Sequence, residues 1–283
     1  MENAKSLKSK ELFPPVFSRH ARAYQRRLED ILARGESIGR TRVLDLVDAR
    51  PGMKILDLAC GPGSMSRRLA PLVSPGGEVL GVDLAPGMIA LARSMNIPQA
   101  RFELMDIEQL AFPDGSFDAA VCGHGFQFVP DLPRALSEAR RVLRPEGRLA
   151  ASVPLSDRRD SVWAPLDSVV DRWLPPAPEA VDQRPTRATV QDAAAFRDAA
   201  LGAGFAFARV ELIEDAVHWE SAEHLVSNFM GWWDCASRLE GLDKIRRQAI
   251  MDDAIETLRR DHPGPIETKA RNHVLFAKAS WDQ

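Results

Sequence analysis

The chain has 283 residues, 45% of them hydrophobic and 27% charged, with a net charge of −3. That is a globular composition, long enough for one large domain or a domain with a lid. Acids and bases are interspersed without a basic stripe, and no apolar run approaches the ~20 residues that span a bilayer, so neither a nucleic acid nor a membrane is expected as partner.

In chain order, residues 1–14 read as a polar, disordered tail. Residues 15–34 place Phe17, Ala21, Tyr24, Leu28, Ile31 and Leu32 at helical spacing, and 37–49 do the same with Ile38, Val43, Leu44 and Val47. These amino-terminal helices, 15–50, are expected to cover an active site. Strand and helix patterns then alternate over 51–153. Strands fall at 53–58, 78–82, 101–105, 117–122 and 147–153, and helices at 64–72, 86–94 and 131–143. Such alternation makes a doubly wound α/β sheet with parallel strands and crossover helices. Residues 154–190 interrupt it with six prolines and one short apolar helix face, Trp163, Leu166, Val169, Val170 and Trp173. An insertion there lies on the ligand side of the sheet and reads as a lid. Residues 191–283 complete the fold, with helices at 191–203, 222–237 and 241–260 and strands at 206–219 and 272–279.

The most telling segment is Met53-Lys-Ile-Leu-Asp-Leu-Ala-Cys-Gly-Pro-Gly-Ser-Met-Ser66, an apolar run that breaks into a glycine turn and an amphipathic run. Gly61 and Gly63 let a ligand lie against the backbone. Asp83 ends the next strand, 20 residues after Gly63, where a carboxylate accepts hydrogen bonds from a ribose. An adenosine cofactor is therefore expected. A dinucleotide site wants a third glycine where this chain has Ser66. Asp57, inside the apolar run, would repel a pyrophosphate and suit a cationic amine. S-adenosyl-L-methionine (SAM) carries an ammonium and a sulfonium and no phosphate, so the electrostatics favour it. Gly61, Asp83, Asp106 and Gly123 all fall at strand carboxyl ends, where such sheets bind ligands.

Residues 53–153 resemble the class I SAM-dependent methyltransferases, most closely the small-molecule group of ubiquinone and menaquinone biosynthesis. The resemblance rests on Ile55-Leu-Asp-Leu-Ala-Cys-Gly-Pro-Gly63, Gly81-Val-Asp-Leu-Ala-Pro-Gly-Met88, Met105-Asp-Ile-Glu108, the run Ala119 to Asp131 that contains Gly-His-Gly, and Arg141 to Leu149. More loosely, Phe17 to Tyr24 and Phe196 to Phe205 are similar to flanking elements of the family. It implies a mostly parallel seven-stranded sheet with one antiparallel strand. It also implies Asp83 on the ribose, Leu84 and Met88 against the adenine, Asp106 on its exocyclic nitrogen and the Ile107 amide on its ring. Three positions depart from the pattern. Gln127 and Phe128 stand where many relatives have paired histidines, and Gln25 follows Tyr24 where an acid is usual.

Methyl transfer from a sulfonium needs alignment and exclusion of water, and a base only if the acceptor must lose a proton. His124, directly after the fourth strand, is the candidate base. Tyr24, the chain's single tyrosine, is the candidate for the methionine carboxylate or the methyl path. His20, four residues earlier, Gln127 and Trp163 are candidates for the substrate. Trp173, Trp219, Trp232 and Trp233 could line an apolar pocket, and Arg158, Arg159, Arg184 and Arg187 flank the lid where an anionic group could sit. Cys60, Cys122 and Cys235 lack metal-type spacing and read as free thiols; no metal is expected. With no signal-peptide core after the polar start, the chain reads as a cytoplasmic enzyme that methylates a small hydrophobic molecule, of secondary-metabolite or quinone type. A non-methylating SAM-binding cyclase is the main alternative, and a protein or RNA methyltransferase a more distant one. Oligomeric state stays open, with the amino-terminal helix as the surface for a homo-oligomer.

Overall fold

The computed structural model describes residues 7–156 and 162–280. The first strand, β1 (Lys54–Leu58), shows how the sequence builds the centre. Ile55, Leu56 and Leu58 are fully buried, with alternate side chains on opposite faces of the sheet. Leu56 and Leu58 join one core and Ile55 the other. Around β1 lie β2 (Glu78–Asp83), β3 (Ala100–Leu104), β4 (Phe117–Gly123), β5 (Leu143–Pro154), β6 (Phe207–Trp219) and β7 (Ile266–Lys278), in the order β3-β2-β1-β4-β5-β7-β6. Neighbours β1 to β5 pair in parallel; β7 runs antiparallel to both β5 and β6. The expected seven strands with one antiparallel member are what the chain adopts.

Eleven helices are described: α1 (Ser9–Ala33), α2 (Ile38–Val47), α3 (Ser64–Val73), α4 (Pro86–Ser94), α5 (Leu132–Val142), α6 (Trp163–Trp173), α7 (Arg184–Gln191), α8 (Ala193–Gly202), α9 (Ala222–Met230), α10 (Trp233–Leu239) and α11 (Lys244–Asp261). One face of the sheet is covered by α2 and α3 through Val43, Val47, Met65, Leu69 and Val73. The other is covered by α5 and α8 through Leu132, Leu136, Ala139, Phe196 and Ala200. This is the doubly wound arrangement.

Four boundaries differ from the sequence reading. The tail expected over 1–14 does not extend that far: α1 starts at Ser9 and continues through Pro14 and Pro15, while residues 1–6 lie outside the described residues. Leu12, Phe13 and Val16 are buried against Ala180, Phe128 and Trp233, and that packing outweighs the missing proline N–H groups. The helix expected over 191–203 is α8, starting two residues later; α7 lies before it in the expected lid and is parted from it at Asp192, whose carboxylate caps α8 by accepting from the Ala195 N–H. The helix expected over 222–237 breaks at Gly231 into α9 and α10. The last strand begins at Ile266 rather than 272.

That last difference shapes the site. Strand β5 ends at Pro154 opposite Asn272, yet β6 and β7 continue to pair from Ile213–Asn272 out to Trp219–Ile266. A two-stranded ribbon thus projects past the carboxyl edge of the parallel strands. It carries a second core of its own, in which Trp163, Leu166, Val169 and Val170 of α6 meet Val217, Trp219, Leu225, Phe229, Ile250 and Leu258. Helix α1 leans on α4 and α10 of its own chain, so its apolar face is already occupied. Among the described residues no helix is long and apolar enough to cross a membrane.

Candidate active site

A cavity of about 590 Å³ opens at the carboxyl ends of β1, β2 and β4 and reaches under the projecting ribbon. Its near end is lined by Asp57, Gly61, Asp83, Leu84, Met88, Asp106 and Ile107, all candidates named above. Under the ribbon it is walled by Trp163, Trp219 and Trp232, and Phe13, Phe17 and Trp233 also line it, Phe17 packing against the Met88 cluster. Tyr24, Gly123, His124 and Gln127 lie along the same cavity.

Asp57 is 1% exposed, and its Oδ2 accepts a 2.6 Å hydrogen bond from Ser66 Oγ. Serine at the third position of the glycine turn thus holds the acid that argued against a dinucleotide. Burial pushes the Asp57 carboxyl up to about 7, against the pull of Ser66 and Arg40. A buried carboxylate this poorly matched by its own chain fits an incoming cation. Asp83 follows the same logic: burial raises its pKa, while its two oxygens accept from the Gly61 N–H at 2.9 Å and the Ala85 N–H at 2.8 Å. Each oxygen keeps a lone pair for a ribose hydroxyl.

The two glycines of the turn do different work. Gly61 has φ of +54° and lines the cavity, and a Cβ there would meet nothing within 4 Å. Gly63 does not line the cavity. It caps α3 in the left-handed conformation, and a Cβ would come 2.9 Å from the Phe102 ring. Close packing against β3, rather than contact with a ligand, is what demands glycine at 63.

Asp106 is met by Lys10 of α1, whose Nζ lies 2.6 Å from Oδ2 and also pairs with Glu108. Lysine 10 therefore ties α1 across the mouth of the near end, a link the sequence reading missed because it assigned residue 10 to a tail. The pair is partly exposed, so Lys10→Ala should change the melting temperature by ~2 °C or less. The same variant should release S-adenosylhomocysteine severalfold faster, as stopped-flow displacement would show; an unchanged release rate contradicts the tie.

His124 has φ of +64°, which sharply re-aims the chain after β4; its N–H donates to the Ser152 carbonyl at 2.9 Å. Burial, with a contribution from the Arg40 charge, pushes the imidazole well below its ordinary pKa, against a hydrogen bond with Asn272. Its Nε2 is buried without a protein partner, as are Ser64 Oγ and Gln127 Oε1. Three unpartnered polar atoms along one cavity are what a site built for a polar ligand looks like. Gln127 is held in place from both sides: its Nε2 donates to the His124 carbonyl at 2.9 Å, and its own carbonyl accepts from Gln183.

Tyr24 packs edge-on to Phe17 at 6.0 Å, and its hydroxyl accepts from Arg40 Nη2 at 3.3 Å. Arg40 is 8% exposed, sits on α2, and reaches within 3.5 Å of where a Gly123 Cβ would stand. Trp163 stacks at a tilt on Trp232, 5.6 Å away. His20 corrects an expectation. It does not line the cavity; its Nε2 sits 2.6 Å from Glu240 Oε1, which Arg19 also holds. Phe17 and Tyr24 on either side of it line the cavity, while the His20 ring is drawn to Glu240 at the end of α10. Trp173 is likewise turned outward, onto Asp253. Of the lid arginines, Arg187 lines the cavity and Arg184 pairs with Glu179; Arg158 and Arg159 lie outside the described residues. Among the described residues none of the three cysteines forms a disulfide, and burial pushes the Cys122 thiol up to about 12. Sequence reading missed the partly buried Arg27 and the buried Arg40 because arginines turned inward on amphipathic helices look like solvated ones.

Residues 56–151 match the methyltransferase domain family. The chain is 36% identical over 235 residues to nocamycin O-methyltransferase of Saccharothrix syringae, covering 77% of this chain and 81% of that one. It is 35% identical over 161 residues to demethylmenaquinone methyltransferase of Beutenbergia cavernae, covering 55% and 64%. For several other curated relatives it spans less than two thirds of their length. The crystal structure of YcgJ from Bacillus subtilis superposes with a TM-score of 0.55 at 18% identity, covering 86% of this chain and 99% of that one, which shows a shared fold. The chain belongs to the class I methyltransferases, which use S-adenosylmethionine as methyl donor.

Proposed function

We propose that the protein transfers the methyl group of SAM to a small, largely apolar organic molecule. The observation that carries this reading is a single cavity with acids at one end and an aromatic chamber at the other. Asp57 would hold the cofactor's ammonium, and Arg40 with Tyr24 its carboxylate. Asp83 would hold the ribose, Leu84 and Met88 the adenine faces, and Asp106 and the Ile107 amide its edge. The bound cofactor supplies an electrophilic methyl carbon. The chain's own residues then position the acceptor and keep water out, with α1 and the β6–β7 ribbon forming the walls and α6 the roof.

His124 enters this reading as a neutral imidazole. Its free Nε2 accepts a hydrogen bond at the end of β4, but its low pKa makes it a poor store for a proton. The walled chamber supports a small molecule over a protein or an RNA. The relatives named as nocamycin O-methyltransferase, 2-phytyl-1,4-naphtoquinone methyltransferase and demethylmenaquinone methyltransferase favour methyl transfer over cyclisation.

Calorimetry tests the cofactor assignment directly. SAM and S-adenosylhomocysteine should bind the purified protein one to one, and NAD should not. Tight NAD binding, or no binding of either sulfur nucleoside, rejects the proposal. For turnover, a product heavier than its substrate by one methylene separates a methyltransferase from a cyclase.

A further inference from the structure

Arg27 is a cavity charge that the roles proposed above for the cofactor's groups leave unused. It sits on α1 one turn beyond Tyr24, lines the cavity, and places its guanidinium 5.4 Å from the centre of the Tyr24 ring. Its Nη1 donates to the Gly231 carbonyl at the end of α9. Among the described residues no carboxylate lies within ion-pair reach of it. Asp234 is felt only at longer range, and Glu36, the other acid on that side, is already held by Arg34 at 2.7 Å. Burial accordingly lowers the Arg27 pKa, and the nearby Arg40 adds to the effect. A guanidinium drawn largely out of water, as this partly buried one is, seldom lacks a matching anion.

Charge matching across the cavity shows what is absent. On the reading proposed above, the cofactor's ammonium meets Asp57 and its carboxylate meets Arg40. No group of the cofactor remains for Arg27, and the sulfonium adds another positive charge to the chamber. An anion supplied by the second substrate satisfies Arg27, and the apolar surfaces of Trp163, Trp232 and Trp233 then face the rest of that molecule.

We infer that the methyl acceptor is an anionic oxygen, a carboxylate or an enolate on an aromatic or polycyclic apolar frame, and that Arg27 selects it. This rests on the methyltransferase reading. Such an oxygen arrives without its proton. Its lone pair forms the new bond to the methyl carbon, the carbon–sulfur bond breaks with its electron pair left on sulfur, and no base is called on. A neutral, weakly basic His124 fits that chemistry.

The test uses 2-naphthoate and its uncharged isostere 2-naphthamide, titrated by calorimetry into protein saturated with S-adenosylhomocysteine. The native protein should bind the naphthoate at least tenfold more tightly. Arg27→Gln should erase that preference, Arg27→Lys should retain part of it, and both variants should bind S-adenosylhomocysteine within threefold of the native value. Equal binding of the two probes, no binding of either at millimolar concentration, or a preference that survives Arg27→Gln overturns the inference. So does loss of S-adenosylhomocysteine binding in a folded Arg27→Gln, which would assign the arginine to the cofactor. Failure of the native protein to bind S-adenosylhomocysteine would instead strike the proposed function itself.

Discussion

Replacing Asp57 with asparagine should weaken SAM binding more than a hundredfold while making the ligand-free protein more stable. The binding loss follows from removing the buried carboxylate that would meet the ammonium, an interaction of about 3 kcal/mol. The gain in stability follows from the carboxyl's raised pKa of about 7. In the unfolded chain it ionises near 3.9. Below that pH both states are protonated and the group is neutral toward folding. Between the two values the unfolded state gives up its proton more readily, so stability falls as pH rises. Above 7 the full penalty is in place, roughly 4 kcal/mol by linkage. Asparagine removes it, so the melting temperature should rise by several degrees at about pH 8 and far less at about pH 4. Differential scanning calorimetry at both pH values checks this; a destabilised variant at the higher pH means Asp57 is already satisfied by its own chain.

The same carboxyl sets a pH profile. Native affinity for SAM should be greatest between about pH 7 and pH 8, bounded by Asp57 on the acid side and by the cofactor's own α-amino group near 8. By about pH 6 affinity should be severalfold weaker. The asparagine variant should keep the alkaline limb and lose the acid one, which titration calorimetry across that range would show.

The second large effect is at Asp83. Asp83→Ala should lower S-adenosylhomocysteine affinity at least a hundredfold, because it deletes the proposed ribose acceptor and leaves the Gly61 and Ala85 N–H groups without their partner. Each stranded buried donor costs about 1–3 kcal/mol, so the apo protein should melt earlier as well. Asp83→Asn separates the two losses. Its amide oxygen still accepts from one N–H, so stability should recover in part while binding stays poor. If the alanine variant binds the nucleoside normally, the ribose is held elsewhere.

Most of the α/β core was legible because its signals are local. An apolar run, a glycine turn and an amphipathic run fix β1, the loop and α3 within a few residues of Ile55 and Gly63. The acids at the strand ends were legible for the same reason, since Asp57 and Asp83 stand out against apolar neighbours. What escaped depends on contacts distant in sequence. The first turns of α1 hold because Phe13 meets Phe128 and Trp233, neither visible from residue 13. The outer half of β7 carries Glu267, Lys269 and Arg271 between Ile266, Thr268 and Ala270, and it reads as strand only once β6 is beside it. His20 and Tyr24 share a helical spacing, yet Glu240 claims the first and the cavity the second.

The placement of β7 between β5 and β6 bears on how the molecule comes into being. Among the described residues β6 has no bonded neighbour except β7, and α9, α10 and α11 separate them along the chain. On the ribosome β6 must therefore wait, its edge unpaired, until β7 has been made. Strands β1 to β5 need no such delay, since each finds its partner among segments already synthesised or soon to follow. The nucleoside-binding half of the crevice can thus assemble early and the acceptor-binding half last. A slow-closing, sticky intermediate at that stage is the point where chaperones would be needed.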